Sequence, residues 1–591
     1  MLGAAVPPDK QTGEDNTVAR PRRRCLALVL VVSSVLAGCT QDRSAACATA
    51  CASGLACVQN ADFPGGGCSN TCTAASGCPS GYGCVTMSTG HFCLQTCGSS
   101  DECPLGFSCS VAGSAGNACV PVAAMPLSGG SCAAPQLVTG GLIGPASPPA
   151  GCQKPIVQST LPAARVQELG TFDVRAQVPF NVPAGTAAFA IVSQAVSAAD
   201  VLDYQGEAVA NAPAPSPVLA PGGSPFFDFV RQNFIVNGNP PPDPTEVQLY
   251  QRIFLNPAVT GTLVFPNTTP GVALALDGGL PAGTWSLTVD DLARLCPLVD
   301  GCDAGTSPAG RYRMTVVTRP GPIADQGRLD LAIYLVTTTG PSASTAPADA
   351  AMQRVASRLA ALFASAGLCI GTITFYDVPA WAKARYASLD VGSPEDPCGD
   401  YRQLLTLVSP GSGAMSLYFL DEIIDPAQNG GTTVGFDGAI PGPATFPGTV
   451  AGGAVVSAAD LETGASSCSG TYAPLDCGSD LVATIVAHET GHFLGLFHTA
   501  DFQGNSFDSL VDTPACVCSA CAAPADRANC ADQPAPGGPP TAVDRSSCLR
   551  GTQLCGGADY LMFWQVSSAS KGLLSHDEAA VMRANPAVAS P

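Results

Sequence analysis

Three of the five histidines in this 591-residue chain lie between positions 488 and 498. On a helix, residues four apart share one face, so His488 and His492 can direct their imidazoles at one metal ion while Glu489 lies beside it. Gly495 lets the chain leave the helix sharply, and the turn can return His498 as a third ligand. Three imidazoles around zinc leave a fourth position open for water, which is typical of catalytic rather than structural sites.

Histidines also occur in ordinary cores and on ordinary helix surfaces, and this is one alternative interpretation of the segment. This interpretation requires that three of the five histidines, a glutamate and a glycine occur at these spacings by coincidence. A second alternative is that the protein keeps this pattern of residues but is related to active enzymes without being active itself. In an active protein, zinc would activate a water molecule and polarise a peptide carbonyl, while Glu489 would act as general base and pass the proton to the leaving amine.

The pattern H-E-x-x-H-x-x-G-x-x-H resembles the signature of the metzincin zinc peptidases. Within that group the chain is similar to the pappalysin, or cytophagalysin, family, in which the third histidine is followed by a threonine, here Thr499. Asp508 and the later Asp512-Thr513-Pro514 resemble the Asp-x-x-x-Asp-Thr-Pro element of the family, and Asp559-Tyr560-Leu561-Met562 resembles its methionine turn. The resemblance implies an α/β domain with one catalytic zinc ion, a protein or peptide substrate, and Met562 beneath the metal. The alternative is that Met562 is an ordinary core residue.

Two features near the motif remain open. Several metzincins have a tyrosine two residues after the methionine, whereas this chain has Trp564, whose indole is a donor only and cannot bind zinc. Asp508 and Asp512 could help to bind Ca²⁺, as loops in this family can, or they could belong to a solvated acidic loop.

The motif lies in a region where predicted strands and helices alternate. Residues 329–336, 373–376 and 415–420 are predicted strands, and 347–366 is a predicted amphipathic helix with Pro347 at its first position. Residues 574–586 resemble the closing helix of the family. This alternation predicts an α/β catalytic domain over 323–591.

Upstream of this domain the pattern changes. Residues 151–322 carry alternating apolar stretches separated by Pro and Gly turns, which predicts an all-β sandwich. The phrases Val-Pro-Ala-Gly-Thr at 182–186 and Leu-Pro-Ala-Gly-Thr-Trp at 280–285 resemble the jelly-roll domains of secreted bacterial peptidases. Residues 121–150 are rich in Gly, Pro, Ser and Ala and are predicted to form a linker.

Cysteines are concentrated in two regions. Twelve of the 28 lie between positions 47 and 119, in repeats with few large apolar residues, so we predict a disulfide-rich region over 40–120. Six more lie between positions 516 and 555, in an insertion before the methionine turn. Metal binding is the alternative for both groups, but an oxidising compartment favours disulfides.

The first forty residues predict export. Arginines at positions 20 and 22–24 precede an apolar run too short for an ordinary membrane span, so 1–38 is a predicted signal peptide. The run ends in Leu-Ala-Gly-Cys39, which resembles the lipobox of bacterial lipoproteins and implies a lipid anchor at Cys39. The alternative is an ordinary signal peptide with a coincidental cysteine. A net charge of −20 argues against nucleic acid as a partner, and we expect membrane contact only through the anchor.

The predicted protein is therefore multidomain: an α/β metzincin catalytic domain preceded by an all-β sandwich and a disulfide-rich region. Its predicted function is that of an exported, lipid-anchored zinc endopeptidase of the bacterial cell envelope, either held at the outer membrane or secreted after processing. The alternative is a cell-surface binding or adhesion lipoprotein with an inactive or latent peptidase domain. A third hypothesis treats the upstream domains as a latency segment that is removed to release the peptidase.

Overall fold

The computed structural model describes the chain in segments. These are 56–60, 63–73, 77–78, 82–87, 90–96, 107–111, 117–121, 132–149, 164–174, 176–196, 202–203, 218–223, 260–267, 269–291, 310–392, 399–408, 414–425, 433–437, 452–463, 478–504, 507–508, 510, 512–530, 541–549, 555–566 and 570–589. The predicted signal peptide and Cys39 lie outside these residues. Within them, no helix is long and apolar enough to cross a membrane.

The cysteine-rich region forms three antiparallel hairpins. The strands are β1 (Ala56–Asn60), β2 (Phe63–Ser69), β3 (Tyr82–Met87), β4 (Gly90–Gln95), β5 (Phe107–Val111) and β6 (Asn117–Pro121). Disulfides join Cys72 to Cys84 and Cys78 to Cys93. The prediction of disulfides in this region is confirmed.

A strand then follows in the segment for which we predicted a linker. This strand, β7 (Gln136–Leu142), pairs in parallel with a strand more than 200 residues downstream. A disulfide between Cys132 and Cys369 joins the same two parts of the chain. Local composition did not indicate this strand, because only a partner distant in sequence makes it part of a sheet.

The next region consists mainly of two antiparallel sheets that share one core. Its elements are β8 (Arg165–Asp173), β9 (Gln177–Val182), β10 (Thr186–Ala195), β11 (Leu202–Asp203), β12 (Val218–Leu219), β13 (Thr260–Phe265), α1 (Thr269–Leu276), β14 (Gly283–Thr288), β15 (Asp290–Asp291) and β16 (Arg311–Pro320). One sheet has the order β13-β10-β16-β8 and the other the order β12-β14-β9. Aromatic rings from both sheets meet between them, where Phe189 packs edge-on against Phe180 and Trp285.

The last region is α/β, as predicted. Its elements are β17 (Gly327–Leu335), α2 (Ala350–Ala364), β18 (Leu368–Asp377), α3 (Ala380–Tyr386), β19 (Ser388–Asp390), α4 (Asp400–Leu405), β20 (Met415–Leu420), β21 (Glu422–Ile424), β22 (Gly435–Asp437), β23 (Ala454–Ser457), α5 (Ala459–Thr463), α6 (Gly478–Phe493), α7 (Cys518–Cys521) and α8 (His576–Ala584). Short 3-10 turns occupy Ala346–Ala348 and Arg527–Asn529. The main sheet has the order β22-β23-β20-β17-β18-β7, and only β22 runs antiparallel to its neighbour.

Helix α2 begins later than predicted. We expected Pro347 at its first position, but this proline lies in the preceding 3-10 turn. The helix is capped by Asp349, whose carboxylate accepts a hydrogen bond from the Met352 backbone N–H at 3.0 Å. A carboxylate cap satisfies an otherwise unpaired N–H of the first turn, which explains why the helix starts there.

The sandwich lies against the α/β domain. Val272 of α1 belongs to the same buried core as the main sheet and α6, and Thr269 donates a hydrogen bond to the carboxylate of Asp577 in α8. Arg319 of β16 lies within hydrogen-bonding range of the Asn585 carbonyl, although at 3.4 Å the contact is long. The multi-sheet α/β architecture with several disulfides is confirmed.

Candidate metal centre

Helix α6 carries the histidine motif through the core of the α/β domain. Val482, Ile485 and Val486 are fully buried and pack in the main core, which fixes the helix against the sheet. At its first turn, Asp480 forms a paired ion contact with Arg354 of α2, with N to O distances of 2.7 and 2.9 Å. A partly buried two-point contact of this kind restricts the rotation of α6 about its axis.

The three predicted ligands, His488, His492 and His498, come together and are called the histidine trio below. The Nε2 atom of His498 lies 3.2 Å from Nε2 of His488 and 3.0 Å from Nε2 of His492. Two nitrogens that each lie about 2.0–2.1 Å from a tetrahedral zinc ion are separated by about 3.3 Å. The spacing of the trio therefore fits a single zinc ion.

Hydrogen bonds on the far side of two rings determine which nitrogen faces the centre. His488 Nδ1 lies 2.7 Å from the Leu561 carbonyl and His492 Nδ1 lies 2.9 Å from the Leu496 carbonyl. A carbonyl can only accept, so each Nδ1 must carry the proton and each Nε2 must present a lone pair. This is the arrangement that orients metal-binding histidines.

Burial also keeps the trio uncharged. It lowers the pKa of His488 to about 4, and it lowers that of His498, with a contribution from His488, to about 3. The pKa of His492 lies well below its usual value, because of burial and the other two rings. Neutral imidazoles whose lone pairs converge repel one another unless a cation lies between them, so the donor set suits a metal ion.

The turn after α6 has the predicted conformation. Gly495 has φ of +113°, a region that residues with a Cβ rarely adopt. A Cβ at this position would also lie 3.1 Å from Val264 of the sandwich and 3.3 Å from Val581 of α8. The turn that returns His498 is therefore packed between two other parts of the molecule.

Met562 lies directly beneath the motif. The Met562 thioether contacts the backbone of Gly491, where a Cβ would lie 3.1 Å from Cε and closer still to Sδ. The Met562 carbonyl accepts a hydrogen bond from the Thr499 N–H at 2.9 Å, and the preceding Leu561 carbonyl accepts from His488. This segment therefore supports two of the three histidines through its backbone.

Trp564 is held by the disulfide-linked insertion. Its indole N–H donates to the Val543 carbonyl at 2.9 Å, and its ring packs beside the disulfide-linked insertion. That insertion is closed by three disulfides, which join Cys516 to Cys548, Cys518 to Cys530 and Cys521 to Cys555. Disulfides were the favoured prediction for these cysteines.

The insertion is also connected to the start of the methionine segment. Arg545 donates hydrogen bonds to the Ala558 carbonyl and to the carboxylate of Asp559. Lys571, whose side chain is half exposed, approaches the other carboxylate oxygen at 2.8 Å. Asp559 precedes Leu561 by two residues, so this ion pair helps to fix the carbonyl that holds His488.

Glu489 is buried beside the trio, with 5% of its surface exposed. Burial raises the pKa of its carboxyl group to about 8. The nearest strand is β22, whose Gly435 lies so close that an added Cβ would be 2.8 Å from Glu489 Cδ and closer to Oε1. Gly435 could not be identified from the sequence, because nothing in its local pattern points to a partner 54 residues downstream.

Asp508 and Asp512 belong to a larger group than predicted. We call Asp508, Asp512, Asp577 and Glu578 the acidic cluster; the last two come from the start of α8. One oxygen each of Asp508, Asp512 and Glu578 is buried and has no hydrogen-bond partner among the described residues. Burial, together with the neighbouring carboxylates, raises the pKa of these three groups. Asp512, His576 and Asp577 have potential ligand atoms within 4.8 Å of one another.

The similarity to known proteins covers only parts of the chain. No model of a protein family matches the chain. Over 125 residues the chain is 34% identical to the extracellular metalloprotease of Colletotrichum graminicola (strain M1.001). The matched stretch covers 21% of this chain and 38% of that protein. The chain thus matches well under half the length of this relative. The crystal structure of metalloproteinase-II from Bacteroides fragilis is 17% identical in sequence, and the match covers 31% of this chain and 46% of that chain. With a TM-score of 0.18, this match identifies neither fold nor function.

Proposed function

We propose that this chain is an exported, zinc-dependent metalloendopeptidase of the metzincin type, related to the pappalysins. The observation that carries the proposal is the convergence of three neutral imidazole nitrogens, at 3.0 and 3.2 Å, beside a buried glutamate. The similarity to an extracellular metalloprotease supports the same class of reaction.

In this mechanism, His488, His492 and His498 hold the ion and Glu489 moves the proton. Zinc, when bound, would polarise the scissile carbonyl and acidify a water molecule. Glu489 would accept a proton at a carboxylate oxygen and deliver it to the nitrogen of the leaving amine. Trp564 offers no donor toward the centre, because its N–H is engaged by Val543.

We propose that the substrate is a protein or peptide in extended conformation. Among the described residues, no strand pairs with the outer edge of β22, which borders Glu489. An exposed strand edge offers backbone donors and acceptors that a substrate strand can use. Export fits the disulfides in three regions of the chain, and we retain the lipid anchor at Cys39 as part of the proposal.

Ca²⁺ is proposed as a second, structural ion, held by the acidic cluster. The unpartnered buried oxygens of Asp508, Asp512 and Glu578 support this assignment, because buried carboxylates are ordinarily paired or bound to a cation. Ca²⁺ prefers several carboxylate and carbonyl oxygens. No step of the reaction requires it.

Neither rival hypothesis is favoured. A binding protein with a decayed peptidase domain would have no need for a complete, oriented histidine trio. Release of the upstream region as a latency segment is disfavoured by β7 and by the Cys132–Cys369 disulfide, which tie residues before the sandwich into the main sheet.

The test compares the exported protein with its Glu489→Gln variant, which keeps the shape of the side chain but cannot act as a base. We expect one zinc ion per chain in both, and a fall in peptide hydrolysis of about 10²–10⁴-fold in the variant. Unchanged hydrolysis in the variant would disprove the role of Glu489. Zinc without hydrolysis in the unmodified protein would favour the binding-protein hypothesis.

A further inference from the structure

Gly435 lies where an added side chain would meet the proposed general base. Its φ does not lie in the left-handed region, so the backbone conformation alone does not require glycine. The lack of space around this position does require glycine. A Cβ would lie 2.8 Å from Cδ of Glu489 and from Cγ2 of Ile485, and closer still to Oε1 of Glu489. Real Cβ atoms essentially never approach other atoms this closely, so something would have to move.

The strand cannot easily move away from α6. On one side, Gly435, Phe436 and Asp437 pair in antiparallel register with β23, and the Ser457 N–H donates to the Val434 carbonyl at 2.8 Å. Withdrawal of the strand would break these hydrogen bonds inside the domain.

Helix α4 also supports the strand, through the side chain of Phe436. The ring of Tyr401 meets Phe436 edge-on at 5.1 Å between centroids, and the Arg402 guanidinium lies 5.0 Å from the centre of the Tyr401 ring. Asp437 and Arg402 are each only 2% exposed, and their opposite charges attract. Strand β22 is therefore wedged between α4 and the helix that carries the zinc motif.

The helix that carries Glu489 cannot easily move either. Glu489 is 5% exposed and is flanked on this helix by His488, whose ring is held by the Leu561 carbonyl. Ile485, one turn earlier on the same helix, is fully buried in the main core. A side chain at position 435 would therefore displace the Glu489 carboxylate rather than the helix.

We infer that Gly435 is a positioning residue for Glu489: its missing side chain lets the backbone of β22 lie on the carboxylate and fix its orientation beside the histidine trio. The inference rests on the proposed function, in which Glu489 moves the proton. Gly435 itself makes no chemical contribution, and its effect is transmitted through the position of Glu489.

Gly435→Ala tests this inference, and Gly371→Ala is a matched control. Gly371 lies in β18, where a Cβ would also meet side chains at very short range. These side chains are Arg328 and Asp330, which are 48% and 40% exposed and have more room to move than Glu489. We expect Gly435→Ala to lower kcat about 10–100-fold, since small displacements of a reacting group are costly, with zinc content and KM nearly unchanged. Gly371→Ala should retain the unmodified kcat.

A stability measurement tests the contact without relying on activity. Thermal unfolding is compared for the unmodified protein, Gly435→Ala, Glu489→Ala and the double variant. If the Cβ collides with the carboxylate, Gly435→Ala lowers Tm more when Glu489 is present than when it has been truncated.

The two measurements separate the possible failures. Equal Tm losses in both backgrounds, or an unchanged kcat in an active Gly435→Ala protein, would overturn the inference. A rise in KM at constant kcat would also overturn it, because the strand would then serve only to bind substrate. Absence of hydrolysis in the unmodified protein would instead contradict the proposed function, and the stability comparison would still decide whether the contact exists.

Discussion

The histidine trio and the acidic cluster are two groups of titratable side chains on which burial has opposite effects. The trio consists of bases whose pKa is lowered, so its members are neutral and offer lone pairs. In the acidic cluster, burial and mutual repulsion raise the pKa of Asp508, Asp512 and Glu578. The first group is uncharged without a metal ion, whereas the second must bind a cation or take up protons to compensate its buried carboxylates.

The two groups also differ in how they are assembled. The first and last histidines are ten positions apart, and one helix with its following turn supplies all three. The acidic cluster combines a loop after the motif with the first turn of α8, and Thr269 of the sandwich adds a hydrogen bond to Asp577. The first site is therefore local in sequence, and the second depends on how the domains pack.

The largest expected effect is the loss of a zinc ligand. His492→Ala should lower zinc affinity more than about 100-fold, because changes to groups that only orient ligands already cost about 10–100-fold. Hydrolysis should fall with the zinc content, as measured by metal analysis and peptide cleavage. The control is His91→Ala, in the cysteine-rich region. Full zinc occupancy in His492→Ala would show that the trio is not the metal site.

A smaller effect is expected when Ca²⁺ is offered to the acidic cluster. At a hundredfold excess over its dissociation constant, a ligand specific to the folded state stabilises it by about 2.7 kcal/mol. For a domain of this size that is a rise in Tm of about 5–10 °C. The measurement is thermal unfolding of the zinc-loaded protein with and without Ca²⁺, and Asp508→Ala should abolish the response.

The control for this prediction is Asp173→Ala, which removes an exposed carboxylate from the sandwich. It should leave the response to Ca²⁺ unchanged. If Ca²⁺ fails to raise the Tm of the unmodified protein, the acidic cluster is protonated rather than metal-bound, and the contrast with the trio becomes one of charge alone.

A third prediction concerns the support of the trio. Arg545→Met removes the less exposed partner of Asp559 and should weaken zinc binding about 10-fold, because the Leu561 carbonyl that orients His488 follows in the same segment. Competition with a chromogenic chelator measures the affinity. Lys571→Met removes the half-exposed partner of the same carboxylate and should change the zinc affinity little. Equal effects of the two variants would contradict a specific role for the buried pair.

The smallest effect is expected at the contact between the domains. Thr269→Val removes one hydrogen bond to Asp577 and should lower the free energy of unfolding by about 1 kcal/mol, with no change in zinc content. Denaturant unfolding provides the value, and Thr284→Val, exposed on the same domain, is the control. A loss of zinc in Thr269→Val would show that the two sites are coupled through α8.

Much of the α/β domain could be predicted from residue pattern. The predicted strand at 415–420 coincides with β20, and the predicted strands at 329–336 and 373–376 overlap β17 and β18. The helix predicted at 347–366 was correct in kind but began too early, because Asp349 rather than Pro347 determines its start. Apolar periodicity reports which face of an element is buried, and this is a local property.

Other features could not be predicted in this way. Strand β7 has the sequence QLVTGGL, with two glycines and mostly exposed side chains, and only its pairing with β18 makes it a strand of the main sheet. Gly435 resembles any other loop or strand glycine until Glu489 is placed against it. Both depend on contacts between residues far apart in the sequence.

The sequence by itself determined the ligand set of the proposed zinc site and its general base, because a helix repeats every 3.6 residues and so places His488, Glu489 and His492 at known angles. The tertiary structure alone decided what surrounds them: the carbonyls that orient two of the rings, the strand that lies on Glu489, and the helix that completes the acidic cluster. The physical reason is that side-chain chemistry is carried by the residue, whereas burial and desolvation are properties of the packed molecule, and they are what change the pKa values of these groups.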